Sequence, residues 1–215
     1  MIRRLPRSML RDKRGVALIE FALSLPILVL LGLGGAEATN YIITRMRISQ
    51  IALHLADNAA RIGTGSPMQA KTISEVDIND LLTGADYQAG ELGLYTRGRV
   101  IVSSIEQDPA NVGRFRIRWQ RCRGAKTYDS PYDNQLTNLL GVGPGPASRQ
   151  VRAPVDGASI WVEVYYEYRP LVMASYAPSL TMIETASMMV RDRRALDVGT
   201  NGIVQVSGET PATCT

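Results

Sequence analysis

The sequence predicts an α+β fold in which a long N-terminal helix packs on an antiparallel sheet of four or five strands. From Val16 to Ala36 the only strongly polar residue is Glu20, and apolar residues then recur every three or four positions as far as Ile62. The stretch Gly63-Thr64-Gly65-Ser66-Pro67 predicts the end of this helix. In the C-terminal half, apolar and polar residues alternate, which is typical of half-buried strands. A chain of 215 residues is long enough for one membrane element and one globular domain.

The apolar stretch Val16 to Ala36 is 21 residues long, close to the roughly 20 residues that a helix needs to cross a bilayer. Six basic residues and one acidic residue lie among residues 1–15, whereas few charges follow the stretch. The positive-inside rule therefore places the N-terminus in the cytoplasm and residues beyond about 37 outside. The rest of the chain holds 18 basic and 19 acidic residues, so its charge gives no argument for nucleic-acid binding.

Three interpretations of this segment remain open on hydropathy alone: a secretory signal peptide, an uncleaved anchor, and a prepilin-like leader. Ala36-Glu37-Ala38 fits the small-x-small rule for signal-peptide cleavage after Ala38. However, Glu20 has no role in a discarded peptide, and an ionisable group inside a span costs a few kcal/mol unless it has a partner.

A short motif favours the prepilin interpretation. Lys13-Arg14-Gly15 is followed by Glu20-Phe21-Ala22-Leu23 and by Leu25-Pro26. This arrangement resembles the start of the TadE-like family, the minor pseudopilins of the tight-adherence (Flp) type IV pilus system. The resemblance covers about residues 10–40.

The resemblance implies that a prepilin peptidase cuts after Gly15 and leaves Val16 as the mature N-terminus. The new α-amine would lie about one helical turn from the Glu20 carboxylate and would be largely cationic at neutral pH. Family resemblance assigns Glu20 to subunit registry, with Phe21 and Pro26 beside it in the assembly segment. Gly32 and Ala36 form a small face suited to close helix packing, although ordinary glycine enrichment in membrane spans explains them equally well.

The same resemblance implies a non-enzymatic pilus component involved in surface attachment, without a cofactor. Its expected partners are the prepilin peptidase, other pilins or pseudopilins and the inner-membrane assembly platform. We expect a single-pass protein of a bacterial inner membrane with a periplasmic C-terminal domain, which can become extracellular in the pilus. The alternative is a secreted or membrane-anchored periplasmic binding domain.

The predicted organisation has four parts: a basic leader (1–15), the membrane half of the helix (16–36), its outer half (37–63) and a globular domain (64–215). A helical piece is expected around Glu75 to Leu82, ended by Gly84. Strands are expected at 99–105, 115–119, 160–168, 181–191 and 203–206, the last after an Asn201-Gly202 turn.

The two cysteines, Cys122 and Cys214, predict one disulfide if the domain is exported to an oxidising compartment. The segment from Tyr128 to Val155 is longer than most connections, and we interpret it as a loosely ordered insertion rather than an assembly surface.

The sequence offers little for catalysis or metal binding. His54 is the only histidine, no zinc-ligand spacing occurs, and the glycine-rich stretch at 141–145 lacks the GK[ST] of a phosphate loop. Asp129, Asp133 and Asn134 could contribute ligands to a calcium site, but they do not match the EF-hand pattern. Five arginines lie between 114 and 123 and suggest a nucleic-acid surface. The favoured interpretation is a solvent-facing strand whose arginines pair with Glu163 and Glu167.

Overall fold

The computed structural model describes residues 15–66, 68–111, 113–132, 138–139 and 143–214, with the backbone alone at 138–139. It has the predicted α+β fold. The described residues divide into two compact units. One contains residues up to 41 together with 170–178, and the other contains 42–169 and 179–214.

The first helix, α1, runs from Val16 to Arg61, in agreement with the predicted helix. The helix ends just before Gly63, which has a φ of 117°, a backbone conformation that residues other than glycine rarely adopt. A Cβ at this position would also lie 2.7 Å from the carbonyl oxygen of Thr72.

A buried arginine binds the C-terminal end of α1. The Nη2 of Arg194 donates to the carbonyl oxygens of Ala59 at 3.0 Å and Ile62 at 3.2 Å. These carbonyls lie at the negative end of the helix dipole, where a cation is favourable. Burial nevertheless lowers the pKa of the Arg194 guanidinium to about 10.

The segment after α1 forms strand β1 (Ile73–Ser74) and helix α2 (Glu75–Ala89). Ser74 and Asp77 form a reciprocal capping box at the start of α2. The predicted helix start is correct, but the predicted end at Gly84 is wrong. Because Leu81, Leu82 and Ala85 are all buried, packing continues the helix through this glycine.

The main sheet contains β2 (Gly98–Gln107), β3 (Phe115–Arg123), β4 (Asn138–Leu139), β5 (Ala158–Glu167) and β6 (Thr181–Met189). A four-residue helix, α3 (Leu94–Arg97), leads into β2. The described strands are antiparallel and lie in the order β4-β3-β2-β5-β6. All the predicted strand positions except the last belong to this sheet.

Helices cover one face of the sheet. Arg45 in the outer half of α1 forms a 2.6 Å ion pair with Glu184, which lies beside Val164 in the sheet register. Arg121 projects from the same face and reaches Glu75 at the start of α2. The helix side chains buried in this layer are Ile48, Ile51, Ala52, Leu55, Ala56, Ala59, Ile78, Leu81 and Leu82.

The described parts of the long connection cover the opposite face and contribute to the core, so these parts are not the loosely ordered insertion that was expected. Tyr132 packs edge-on against Trp161, with their ring centroids 5.8 Å apart. Tyr132 and Val151 also pack against a buried cluster of Ile105, Phe115, Ala153 and Trp161. Residues 133–137 and 140–142 of this connection lie outside the described residues.

Strand β5 is covered on both faces of the sheet, so its predicted burial is wrong. This strand was expected to be half buried, yet every residue from Ala158 to Val164 is buried. The alternation of apolar and polar residues reflects two different buried faces rather than one dry and one wet face.

The predicted turn at Asn201-Gly202 is present, with both residues at positive φ. The following strand, β7 (Ile203–Val204), pairs in parallel with β1 and does not join the main sheet. After β7, the tail reaches β3, where the N–H of Cys122 donates to the Ala212 carbonyl at 2.8 Å. The disulfide between Cys122 and Cys214 is formed, as the cysteine pair predicted.

Candidate functional site

The apolar N-terminal half of α1 is the main candidate functional surface. It contains a window with a mean hydropathy of 2.5, long and apolar enough to cross a membrane, and none of that window is buried within the protein. Large apolar side chains between positions 16 and 33 are exposed, among them Leu18, Phe21, Leu23, Leu28 and Leu31. Such a surface is stable only when lipid or other apolar helices surround it.

The expected cleavage position lies where the helix begins. Gly15 precedes α1, and its carbonyl accepts the first helical hydrogen bond, from the N–H of Ile19 at 3.2 Å. A Cβ on Gly15 would meet no atom within 4 Å, so the helix itself does not require glycine here. The basic residues of the expected leader, residues 1–14, lie outside the described residues.

Glu20 lies one turn into α1, on a fully exposed part of the helix. Within the described part of the chain, its carboxylate forms no hydrogen bond or ion pair. Glu20 follows Val16 by four positions, so the helical rise between the two residues is about 6 Å. A cation at the start of the helix would therefore lie within reach of this carboxylate.

The other residues predicted to take part in assembly also lie on the open helix surface. Phe21 is 56% exposed. Pro26 lies inside α1, where its ring removes one backbone donor without ending the helix. The positions at which a Cβ would stand on Gly32, Gly34 and Gly35 have no neighbouring atom within 4 Å. These glycines therefore leave room for a partner helix, and no contact among the described residues requires a glycine at these positions.

The burial of Glu37 and its hydrogen bond to a distant segment were not predicted from the sequence. Its side chain is completely buried, and Oε2 accepts a hydrogen bond of 2.7 Å from the backbone N–H of Val172. The only indication of a special role for this residue in the sequence is its position, directly after a long apolar stretch. A partner 135 positions away could not be inferred from that pattern.

The arginine-rich strand β3 does not present the solvent-facing row that we predicted. Arg116 and Arg118 lie 3.4 and 3.8 Å from the buried carboxylate of Glu106, and their side chains are 24% and 20% exposed. Burial raises the pKa of Glu106, an effect that the two guanidinium groups oppose. Arg123 instead donates to the side chains of Asn79 and Thr83.

The predicted partners Glu163 and Glu167 bind other residues. Glu163 is buried on the opposite face of the sheet, where its carboxylate accepts hydrogen bonds from the hydroxyl groups of Tyr128 and Ser130. Glu167 forms an ion pair with Lys126. The pairing predicted for these two glutamates is therefore wrong, because β3 turns most of its arginines toward the helical layer.

The described residues contain no cluster of three or more histidine, cysteine, aspartate or glutamate side chains that could hold a metal ion. His54 is exposed and forms a hydrogen bond with the Gln88 amide beside an open groove of about 480 Å³. Asp129 is described, whereas Asp133 and Asn134 lie outside the described residues, as do positions 141 and 142 of the glycine-rich stretch.

A protein-family model described as TadE-like protein matches residues 15–64. The matched segment begins at Gly15 and includes the whole of α1, so the resemblance drawn from the N-terminal motif is confirmed. No curated protein and no solved structure gives a significant match to the chain.

Proposed function

We propose that this chain is a minor pseudopilin, a structural component of a tight-adherence pilus that takes part in surface attachment. The TadE-like match indicates a Tad pilus-associated component, and the first and last residues of the match support the proposal. The match starts at Gly15, where processing is expected, and covers a helix whose apolar half is fully exposed. This role is structural and requires neither catalysis nor a cofactor.

In the proposed pathway the chain enters the inner membrane with its basic N-terminus in the cytoplasm, and a prepilin peptidase cuts between Gly15 and Val16. The helix then leaves the bilayer or remains beneath the filament, packed against the apolar helices of other pilins and the assembly platform. Helix packing fits the open positions at Gly32 and Ala36, where small residues let two backbones approach closely.

Glu20 acts in this proposal as the charge that sets subunit registry. A carboxylate in an apolar surrounding is costly unless a cation pairs with it. The amine released at Val16 supplies that cation, either within the same chain or from a neighbouring subunit. Because only correct axial alignment brings amine and carboxylate together, misaligned subunits would leave both charges unpaired.

The buried Glu37 favours this proposal over secretion with a discarded signal peptide. Cleavage after Ala38 would remove Glu37, the acceptor for the Val172 N–H, and would divide a helix that continues to Arg61. The TadE-like match also extends across this position without interruption. These observations favour a helix that stays on the mature protein.

The first test is the N-terminal residue of the protein purified from membranes, determined by intact mass and terminal peptide sequencing. The proposal expects Val16. A start at Thr39 would establish a discarded signal peptide and overturn it, whereas the full leader would establish an uncleaved anchor. Gly15→Ile is expected to retain the leader because the bulky side chain blocks the cleavage position.

The registry role of Glu20 is tested by comparing Glu20→Gln with Ser24→Ala in a piliated strain. Glu20→Gln removes the charge and keeps a polar side chain, whereas Ser24→Ala removes a hydroxyl group that already donates to the Phe21 carbonyl at 3.1 Å. We expect Glu20→Gln to be processed and to assemble poorly, and Ser24→Ala to assemble normally. Normal piliation by Glu20→Gln would show that the charge has no registry role.

A further inference from the structure

The segment Pro170–Pro178, here called the apolar loop, has a composition unusual for an exposed connection. Its sequence, PLVMASYAP, contains no charged residue. Leu171 is 65% exposed, Met173 is 56% exposed and Tyr176 is 38% exposed. Three large apolar or amphipathic side chains are thus exposed on one short loop, and exposed apolar surface of this kind is typical of a protein or membrane contact.

The apolar loop belongs to the same compact unit as the N-terminal part of α1. The hydrogen bond from the Val172 N–H to the buried Glu37 carboxylate joins the two segments. Glu37 is the first residue after the 21-residue apolar stretch that ends at Ala36. This contact therefore holds the loop at the level where the helix leaves the hydrocarbon region.

We infer that the apolar loop inserts its side chains into the outer headgroup interface of the same bilayer that α1 crosses. The inference rests on the membrane-spanning role of α1, which is part of the proposed function, but not on cleavage or pilus assembly. Leu171 and Met173 supply apolar area, and Tyr176 is an aromatic residue of the kind enriched at membrane interfaces. The absence of charge in the loop removes the main electrostatic cost of entering this region.

Backbone chemistry limits the depth of insertion. The loop contains one 3₁₀ turn, Ala174–Tyr176, and bonds from Tyr176 N–H to Met173 and from Ala177 N–H to Ala174. Irregular backbone with other unpaired groups cannot lie exposed in hydrocarbon, where each unsatisfied group costs several kcal/mol. The loop is therefore placed among the headgroups, where water and lipid oxygens satisfy its remaining donors.

Single tryptophan substitutions in the full chain, reconstituted in vesicles of phosphatidylethanolamine and phosphatidylglycerol, test the inference. Brominated lipids quench tryptophan on contact, and the parent protein provides the signal of Trp119 and Trp161, which are both buried. We expect the added fluorescence of Met173→Trp to fall with lipids brominated near the headgroup, the region where interfacial aromatic residues lie. Lipids brominated at the chain end should quench it less.

Two substitutions provide matched controls. Leu25→Trp, in the middle of the apolar stretch, should be quenched most by lipids brominated at the chain end. Met68→Trp, at a highly exposed methionine in the other unit, should not be quenched. If Leu25→Trp is quenched and Met173→Trp behaves like Met68→Trp, the inference fails while the membrane anchor stands. If Leu25→Trp is not quenched, the anchor itself is wrong and the inference falls with it.

The positioning role of Glu37 is tested in the Met173→Trp background. Glu37→Gln keeps a side-chain oxygen that can accept the Val172 N–H, so quenching should persist. Glu37→Ala removes that acceptor, and we expect quenching to fall toward the Met68→Trp level. Equal quenching in the two variants would overturn the role of Glu37 in holding the loop at the interface.

Discussion

Arg121 on β3 and Glu75 at the start of α2 form a two-point ion pair across the interior of the domain. The Nε of Arg121 donates to Oε2 of Glu75 at 2.9 Å, and Nη2 donates to Oε1. The two side chains are only 13% and 1% exposed. Gln205 also donates to the Glu75 carboxylate, at 3.1 Å. One carboxylate thus connects the sheet, the second helix and the segment after β7.

Removing one member of this pair should leave the other charge buried and unpaired. We expect Arg121→Met to lower the free energy of unfolding by about 3 kcal/mol, as for other broken buried pairs. The double variant Arg121→Met/Glu75→Gln should recover part of the loss because no charge remains. Urea unfolding of the full chain in detergent, followed by tryptophan fluorescence, measures both values.

The control for this prediction is Arg61→Met, which breaks the exposed pair between Arg61 and Asp57 on α1. That pair joins residues four apart, and its arginine is 55% exposed. Its loss should cost less than about 0.5 kcal/mol. If Arg61→Met and Arg121→Met lowered the free energy of unfolding equally, burial of the Arg121–Glu75 pair would not explain the loss.

Glu163 should make the domain less stable as the pH rises. Burial raises the pKa of this carboxyl above its ordinary value of 4.5, although hydrogen bonds from Ser130 and Tyr128 oppose the shift. Between the unfolded and folded pKa values, the folded state binds more protons than the unfolded state. The contribution of Glu163 is therefore fully present below about pH 4.5 and is lost as the pH rises through its folded pKa.

The measurement is the difference in unfolding free energy between the parent chain and Glu163→Gln at a series of pH values from acidic to neutral. Taking the difference cancels the groups that both proteins share, including Glu106, whose pKa is also raised by burial. We expect the parent to lose stability relative to the variant as the pH increases. A constant difference would show that Glu163 does not titrate differently in the folded and unfolded states.

Reduction of the disulfide should destabilise the domain strongly. Cys122 and Cys214 are 92 positions apart, and the bond restricts a long segment of the unfolded chain. Chain-entropy estimates for a loop of this length give a loss of about 4.6 kcal/mol. Unfolding midpoints with and without dithiothreitol test this value. The Cys122→Ser/Cys214→Ser variant should be insensitive to the reductant, and an unchanged midpoint in the parent would contradict the prediction.

Gly32 and Gly34 offer a matched pair for helix packing in the assembled state. The two residues lie on nearly opposite sides of α1, and neither position would bring a Cβ within 4 Å of another atom. We expect Gly32→Ile to fold normally but to reduce cross-linking to neighbouring pilins severalfold, because the bulky side chain fills the small face that Gly32 forms with Ala36 and keeps a partner helix at a distance. Gly34→Ile should leave cross-linking largely unchanged.

Equal effects of the two glycine substitutions would favour ordinary glycine enrichment over a specific packing face. Circular dichroism of both variants in detergent provides the control for folding. Since neither added side chain meets an atom of the described structure, a change in helical content would have to arise from the backbone preference of glycine alone.

Local patterns determined the bounds of α1 closely. Uninterrupted apolar spacing from Val16 onward predicted its course, and Gly63 predicted its end, because helical periodicity and a positive-φ glycine are properties of neighbouring residues. Gly84 carried the same local signal but lies inside α2, where burial of flanking leucines outweighs a propensity cost of about 1 kcal/mol. Local signals therefore held only where tertiary packing did not oppose them.

For the arginines of β3, alternation correctly predicted a strand but not which face met solvent. That choice depended on two covering layers, since the outer half of α1 and α2 lie on one side and the described parts of the long connection lie on the other. The partners of Arg121 and Glu163 followed from those layers rather than from their order in the chain. The spacing of residues along the chain therefore did not predict these long-range ion pairs and hydrogen bonds.

The sequence by itself determined the membrane-length helix, the position of Glu20 one turn after Gly15, the strand-forming segments and the cysteine pair. These features depend on composition, short spacing and residue chemistry. Tertiary structure alone decided that Glu37 binds the Val172 backbone, that Arg194 binds the end of α1 and that the described parts of the long connection pack on the core. Each of these contacts joins distant segments, and a buried polar group takes the partner that the fold brings to it.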